Sequence, residues 1–410
     1  MGQSRRSCIL ILHNRDFDRS FGADDPELAS RADVENAARD IGRALTSRGY
    51  DVATLPLPAD PAAIAAVVVE VIARAPDLVF NLCESLAGDA RHEAVLPSLF
   101  ELCGVRYTGS GPLALATALR KDRTKAILRA HAVPTPAGVV SLDGTLPAEL
   151  PPFPVIVKPA REDASTGIWL RSVVDNARDL GDRVREVHAR YRQPVIIESF
   201  VPGRELYVSL VGNGVAPLAL PMHEVDFSDM PAGAPHIVTY DGKWDPSSPE
   251  YKGTRSIEAH VPSAVRERCA SAARAAFAAL ELRDYARVDL RLAADGTPYV
   301  IDVNPNCDLS DGAGVSRAAS FGGIDYADLI ERVVAAALAR YHSSEKESPH
   351  VVRDRAATSR VALPAASQDA RGAAGAAARP RATAPSADPG RTVHARGDLG
   401  RARAGRRRAR

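Results

Sequence analysis

The sequence predicts an α/β protein in three units. These are an N-terminal βαβ domain with a parallel sheet (1–115), a central α+β unit (116–202), and a C-terminal α+β unit (203–342) that carries an antiparallel hairpin. Three observations support this. Residues 7–110 alternate short apolar strands with amphipathic helices. Pro-rich punctuation at 134–136 and 147–154 opens a second run of strands. Residues 286–304 read ARVDLRLAADGTPYVIDVN, two alternating runs on either side of Asp295-Gly296, a hairpin dipeptide.

Taken in order, CILIL (8–12) is a short buried strand. Asp33 caps a helix whose apolar face is Val34, Ala37, Ala38, Ile41 and Leu45, and Gly49 stops it. DVATLPL is a second strand, 62–74 a second helix and DLVFNL (77–82) a third strand, which together make a βαβαβ unit with right-handed crossovers. No GxGxxG follows the first strand, so a dinucleotide site is not indicated. PVIVKP (154–159), GIWLRS (167–172), a helix near 175–190 and PVIIESFV (194–201) form the central unit. The last unit holds ELYVSLVGN, a polar loop at 223–256, a helix at 263–281, the hairpin, and a closing helix from Asp325 to Tyr341.

The net charge of +1 over 410 residues hides an asymmetry. Residues 343–410 carry 15 Lys+Arg and 6 Asp+Glu, which leaves the body at −8 and without a nucleic-acid footprint. That final stretch has no Phe, Tyr or Trp and is rich in Ala, Arg, Pro and Gly, so it is expected to be disordered. Cys8, Cys83, Cys103, Cys269 and Cys307 are scattered with no CxxC spacing. They fit buried thiols in a reducing cytoplasm rather than a zinc site or a disulfide framework. No stretch is long and apolar enough to suggest a membrane span.

The hairpin is where chemistry begins. A two-residue Asp295-Gly296 turn sets Asp289 opposite Asp302 and Arg287 opposite Asn304 on one face, with Val288, Leu290, Ile301 and Val303 on the other. Opposed carboxylates repel, and a cation between them removes the penalty. Asp, Asp and Asn oxygens suit Mg²⁺, which takes few protein ligands and completes its octahedron with water and phosphate oxygens. Upstream, Lys158 ends a strand before the small-residue loop Ala164-Ser165-Thr166-Gly167, where backbone N–H groups can approach a phosphate. Glu198 and Glu205 flank Phe200 and Val201, an apolar segment suited to an adenine edge. Taken singly, these are a solvated hairpin face, a flexible loop with a lysine, and an interdomain linker. In this order they make a triphosphate–Mg²⁺ site.

The segments FPVIVKPAREDASTG, IIESFVPGRE and RVDLRLAADGTPYVIDVNPN resemble the three motifs of the ATP-grasp superfamily, nearest its D-alanine–D-alanine ligase branch. ELCGVRYTGSGPLALATALRKDRTKAIL and GIDYADLI extend the resemblance over roughly 75–340. It implies an ATP-grasp fold, with Lys121, Lys158 and the Ser165 loop on the ATP phosphates. Glu198, Phe200 and Val201 would lie around adenine, Glu205 on the ribose, and Lys252 on the γ-phosphate. Asp289, Asp302 and Asn304 would hold Mg²⁺ (Mn²⁺ as an alternative), and Arg287 would face the oxyanion. The implied reaction is carboxylate–amine ligation of amino-acid or peptide substrates through an acyl phosphate, by a cytoplasmic enzyme that can form a homodimer.

Departures from that branch are local. The glycine-rich loop after the first strand reads LHNRDFDRSFGADD, the phosphate-loop serine falls on Ala164, and the tyrosine after the loop lysine falls on Gly253. NLCESLAGD replaces a histidine-glycine pair, and NCDLSDGAG replaces a Pro-Gly turn. Glu84, His92 and Glu93 lie past the third strand, where open α/β sheets bind ligands, and are candidates to grip an ammonium group. His13 and Asp16, past the first strand, are candidates of the same kind. The competing readings are a strict D-alanine–D-alanine ligase, a protein that binds ATP without turnover, and a nucleic-acid binder acting through its basic tail.

Overall fold

The computed structural model describes residues 6–15 and 34–347, with side chains through His342. Asp16, the Asp33 cap and the tail beyond 347 lie outside the described residues.

The first sheet sets β1 (Cys8–Arg15) between β2 (Asp51–Pro58) and β3 (Leu78–Asn81), parallel to both. Ile9 and Ile11 bury one face of β1 with helices α1 (Val34–Ser47) and α11 (Tyr326–Glu347). Leu10 and Leu12 bury the other with α2 (Pro61–Arg74) and α3 (Val95–Cys103). Coverage on both faces is why CILIL reads as a continuous apolar run and not an alternating one. Each of these side chains contributes about 1.5–3 kcal/mol by leaving water. Asp60 caps α2 by accepting from Ala62 N–H, and Pro61 opens the helix where no N–H is needed.

Two short helices, α4 (Pro112–Ala118) and α5 (Lys121–Ala130), lead into the second sheet. It is antiparallel, in the order β4 (Gly138–Ser141), β7 (Val195–Ser199), β5 (Val155–Pro159), β6 (Val173–Val174). Helix α6 (Ala177–Tyr191) packs Leu180, Val184 and Val187 on Val155, Val157 and Ile197. GIWLRS, expected as part of this sheet, is instead a loop and one 3₁₀ turn at Leu170–Ser172; the strand starts at Val173. Gly167 explains this. Its φ of +78° is left-handed, and a Cβ there would lie 2.7 Å from Pro159 Cγ, so the chain passes close against the end of β5 in a turn that only glycine fits, not as a paired strand.

The third sheet runs β11 (Arg255–Glu258), β10 (His223–Asp226), β8 (Arg204–Val211), β12 (Tyr285–Leu292), β13 (Pro298–Asn304), with β9 (Leu218–Ala219) on β8. Helix α9 (Ser263–Ala279) covers it, burying Cys269, Ala273, Ala276 and Phe277 against Leu206, Val208, Val288, Leu290 and Val300. The polar loop before β11 carries α7 (Tyr240–Trp244) and α8 (Pro249–Gly253). After β13 comes α10 (Gly314–Phe321), then α11, which runs to Glu347 instead of ending at Tyr341. Glu345, Lys346 and Glu347 are good helix formers and prolong it. No described helix is long and apolar enough to cross a membrane.

Candidate functional site

The hairpin differs from its expected register at one end and matches it at the other. Ala293 N–H donates to Thr297 O, and Gly296, at φ +80°, closes a turn one residue longer than the Asp-Gly dipeptide suggests. Leu292 therefore faces Pro298, Arg291 faces Tyr299 and Leu290 faces Val300. A bulge between Asp289 and Leu290 then takes up Ile301 and restores Asp289 opposite Asp302 and Arg287 opposite Asn304. Val300, not Ile301, fills the core, and Ile301 is turned into the cavity.

That cavity, of about 910 Å³, is lined by parts of the second and third sheets and by the loops that follow β3 and β13. Asp289 accepts from Arg287 Nε at 2.7 Å and Nη2 at 2.9 Å, and from Asn304 Nδ2 at 3.2 Å. Asp302 accepts two hydrogen bonds from Lys121 Nζ, at 2.9 and 2.7 Å, and Lys121 also reaches Asp163 at 3.0 Å. The facing carboxylates are thus each neutralised by a side chain of this chain. Burial, outweighing Arg287, pushes Asp289 upward; for Asp302 burial is outweighed by Lys121 and Lys158, and its pKa falls. Among the described residues no group of three or more His, Cys, Asp or Glu is placed to hold a metal. Two carboxylates and one amide oxygen still fit Mg²⁺, whose remaining ligands are water and phosphate oxygens.

Lys158 enters the cavity from β5 and pairs with Glu198 Oε2 at 2.8 Å. The other oxygen, Oε1, is 2.9 Å from Lys125 Nζ, a buried lysine that the sequence reading passed over. The spacing in RKDRTK held the signal: Lys121 and Lys125 are one helical turn apart on α5 and so share a face. Burial, ahead of the attraction of Glu198, brings Lys125 down to about 8. Glu198 itself is lowered, because the two lysines overcome its burial.

Beyond β7 the chain offers an acceptor–donor edge. Phe200 N–H donates to Pro154 O, and Val201 O accepts from Arg291 Nε at 3.0 Å. Phe200 C=O and Val201 N–H have no hydrogen bond among the described residues. Glu205 accepts from Tyr207 OH at 2.8 Å and Arg291 Nη1 at 3.1 Å. In the 164–167 loop Ala164 and Ser165 are successive left-handed residues (φ +54° and +63°), and both line the cavity.

Of the lysines in the 223–256 loop, the one expected at the site does not reach the cavity. Lys252, in α8, is exposed and donates to Ser247 O at 3.0 Å, away from the cavity. Lys243 lines it, open to its interior, near Arg287, Asp289, Glu84 and Asp308. The enclosing protein, then Arg287, holds its ammonium below the ordinary lysine value. The next residue is Trp244, not Gly253, and its Nε1 donates to Ala164 O at 3.1 Å. The 223–256 loop and the 164–167 loop are therefore joined without a hydroxyl on either side.

Of the proposed ammonium-gripping residues, Glu84 lines the cavity, and so does Glu93, which accepts from Asn306 Nδ2 at 3.0 Å. Burial, reinforced by Asp163 and Glu84, raises Glu93 well above the carboxylate range despite Asn306. His92 is exposed outside the cavity with its ring on Leu86 O. His13 is buried in β1 with its ring on Asn14 O, and burial lowers its pKa. Neither histidine reaches the site, because the strand end and the 3₁₀ turn that carry them point them elsewhere. His223 was not anticipated. It is 2% exposed, lines the cavity, stacks edge-on against Tyr207 at 4.8 Å, and has no hydrogen bond at Nδ1. Burial, with Arg287 and Arg317, lowers it to about 3.

Residues 148–335 match the family model described as "D-ala D-ala ligase C-terminus". The chain is 33% identical over 310 residues to a D-alanine–D-alanine ligase of Cupriavidus pinatubonensis, spanning 75% of this chain and 88% of that protein. It is 34% identical over 271 residues to the uncharacterized protein y4sG of Sinorhizobium fredii, spanning 66% of this chain and 77% of that one. The crystal structure of the Bacillus anthracis D-alanine–D-alanine ligase complexed with ATP superposes with a TM-score of 0.61 at 21% identity, covering 83% of this chain and all of that one. With the three motifs converging on one cavity and these relatives alongside, the chain belongs to the D-alanine–D-alanine ligase family of ATP-grasp enzymes.

Proposed function

We propose that this chain is an ATP- and Mg²⁺-dependent carboxylate–amine ligase that joins two small amino-acid or peptide substrates other than a pair of D-alanines. The observation that carries the reading is one cavity in which Lys121, Lys158, Lys243 and Arg287 stand beside Asp289, Asp302 and Asn304, with an adenine-sized apolar edge at Phe200 and Val201. Phosphoryl transfer needs positioning and charge neutralisation more than covalent catalysis, and this site supplies both.

In this reading a carboxylate oxygen of the first substrate attacks the γ-phosphorus and ADP leaves. The amine of the second attacks the resulting acyl carbon and phosphate leaves. Lys121 and Lys158 bind the phosphates, while Phe200 C=O and Val201 N–H take the adenine edge and Glu205 the ribose. Arg287, held in place by Asp289 and laid 4.8 Å over the Tyr207 ring, faces the developing oxyanion. Lys243 takes the γ-phosphate role expected of Lys252. Bound at Asp289, Asp302 and Asn304, Mg²⁺ would neutralise charge on the phosphate oxygens. Glu84 and Glu93 would receive the ammonium of the first substrate.

Release of ADP, screened over amino acids and dipeptides singly and in pairs, tests the proposal. A pair other than D-alanine with D-alanine is expected to give the highest kcat/KM. The names of the relatives favour a second reading, a D-alanine–D-alanine ligase; if D-alanine alone drives ADP release as efficiently as any pair, that reading replaces the first. Absence of ADP release with every substrate would favour a nucleotide-binding protein without turnover.

A further inference from the structure

We infer that Lys125, which touches neither the cavity nor any group expected to react, is a positioning residue that frees Lys158 for the ATP phosphates. The inference rests on the ATP-site reading above. Glu198 is buried between two ammonium groups, Lys125 at 2.9 Å on one oxygen and Lys158 at 2.8 Å on the other. The two lysines are not equivalent. Lys125 is anchored from behind: its Nζ also donates to Val300 O at 3.0 Å, and Thr135 Oγ1 donates to the same carbonyl at 2.8 Å. Lys125 lies outside the cavity lining, whereas Lys158 lines it.

A buried carboxylate with one counterion holds that ion tightly, because withdrawing it leaves an unpaired charge in a poorly solvated place. With two counterions the cluster carries a net positive charge, and one lysine can leave while the other still neutralises Glu198. Val300 O keeps Lys125 in place, so Lys158 is the one free to go. Lys125 thus acts through Glu198 on the charge that Lys158 presents to phosphate. Without it, Glu198 would close on Lys158 as a neutral pair, and the cavity would lose its attraction for phosphates but not for adenine.

The test titrates ATP, ADP and adenosine into the full chain, following the fluorescence of Trp244 and Trp169 or the heat of binding, for wild type, K125M, K125R and the double variant K125M/E198Q. K125M is expected to weaken ATP and ADP by about tenfold or more, the scale of one lost charge-assisted contact, while adenosine stays within about threefold. K125R is expected to bind as wild type does. K125M/E198Q should recover most of the lost preference for ATP over adenosine, a ratio in which any effect of E198Q on the adenine cancels, since the clamp on Lys158 goes with the carboxylate, whereas a merely structural role for Lys125 would make the double variant worse. Unchanged ATP binding in K125M overturns the inference, as does an equal loss for ATP and adenosine or no recovery in the double variant. If wild type itself binds no ATP, it is the underlying site reading that fails.

Discussion

Lys243 and Lys252 share one loop, yet only Lys243 enters the cavity. Lys243→Ala is therefore expected to lower turnover by about 100-fold, as for loss of a charge aimed at a developing transition state, and Lys252→Ala to leave it nearly unchanged. Steady-state ADP release for the two variants checks this, and the reverse pattern would return the role to Lys252. His223 supplies a second residue-scale expectation. Its folded pKa of about 3 lies below the ordinary 6.5, so between those values the unfolded chain binds a proton that the folded chain refuses. Stability is then lost as pH falls through this window, by at most about 1.4 kcal/mol per pH unit for one group. His223→Phe keeps the edge-on packing against Tyr207 and removes the proton. Urea denaturation at about pH 7 and about pH 5 should show a smaller loss for the variant than for wild type; equal losses would place the acid sensitivity elsewhere.

At the scale of elements, the hairpin and the 223–256 loop show how local chemistry is carried to a site. The β12–β13 turn is one residue longer than its dipeptide suggests, and the bulge at Ile301 is one residue that compensates. Without that bulge every residue from Asp302 onward would change face, and Asp302 and Asn304 would point into the core. The 223–256 loop is tied to the 164–168 segment by Trp244 Nε1 on Ala164 O and by Tyr240 N–H on Ile168 O at 2.9 Å. Trp244→Phe removes only the first tie and leaves a carbonyl unpaired, at a cost of about 1–3 kcal/mol. The expected result is faster proteolytic cleavage within 227–254 and a lower kcat, with a fall in the global unfolding midpoint no larger than that cost. Cleavage at the wild-type rate would mean that the indole hydrogen bond does not order the loop.

Over the whole molecule, Asp284 joins segments far apart in sequence. Fully buried, it accepts from Gly109 N–H at 2.9 Å, from Asn213 Nδ2 at 2.9 Å and from Arg340 Nη2 at 3.0 Å. Arg340 also donates to Tyr107 O, so α11, the segment between α3 and α4, the turn after β8 and the start of β12 meet at one carboxylate. Asp284→Ala leaves Arg340 without its charge partner, and about 3–5 kcal/mol of stability should be lost. Thermal unfolding would register this as a large fall in Tm, and a fall of only a degree or two would show that the junction is held by apolar packing alone.

The sequence by itself determined the strand–helix order of the first domain, the hairpin and the family resemblance, because each is written in short-range periodicity or in a contiguous motif. The Asp289–Asp302 opposition was legible in the same way, although its reasoning missed a longer turn and a bulge that cancel. Tertiary structure alone decided which polar residues share the cavity. Lys243 outranks Lys252, Glu93 joins Glu84 while His92 and His13 drop out, and Lys125 pairs with Glu198, because those choices depend on how segments far apart in the chain pack together. A lone lysine or histidine in a polar stretch carries no periodic signal, so its direction is set by packing and not by its neighbours in sequence.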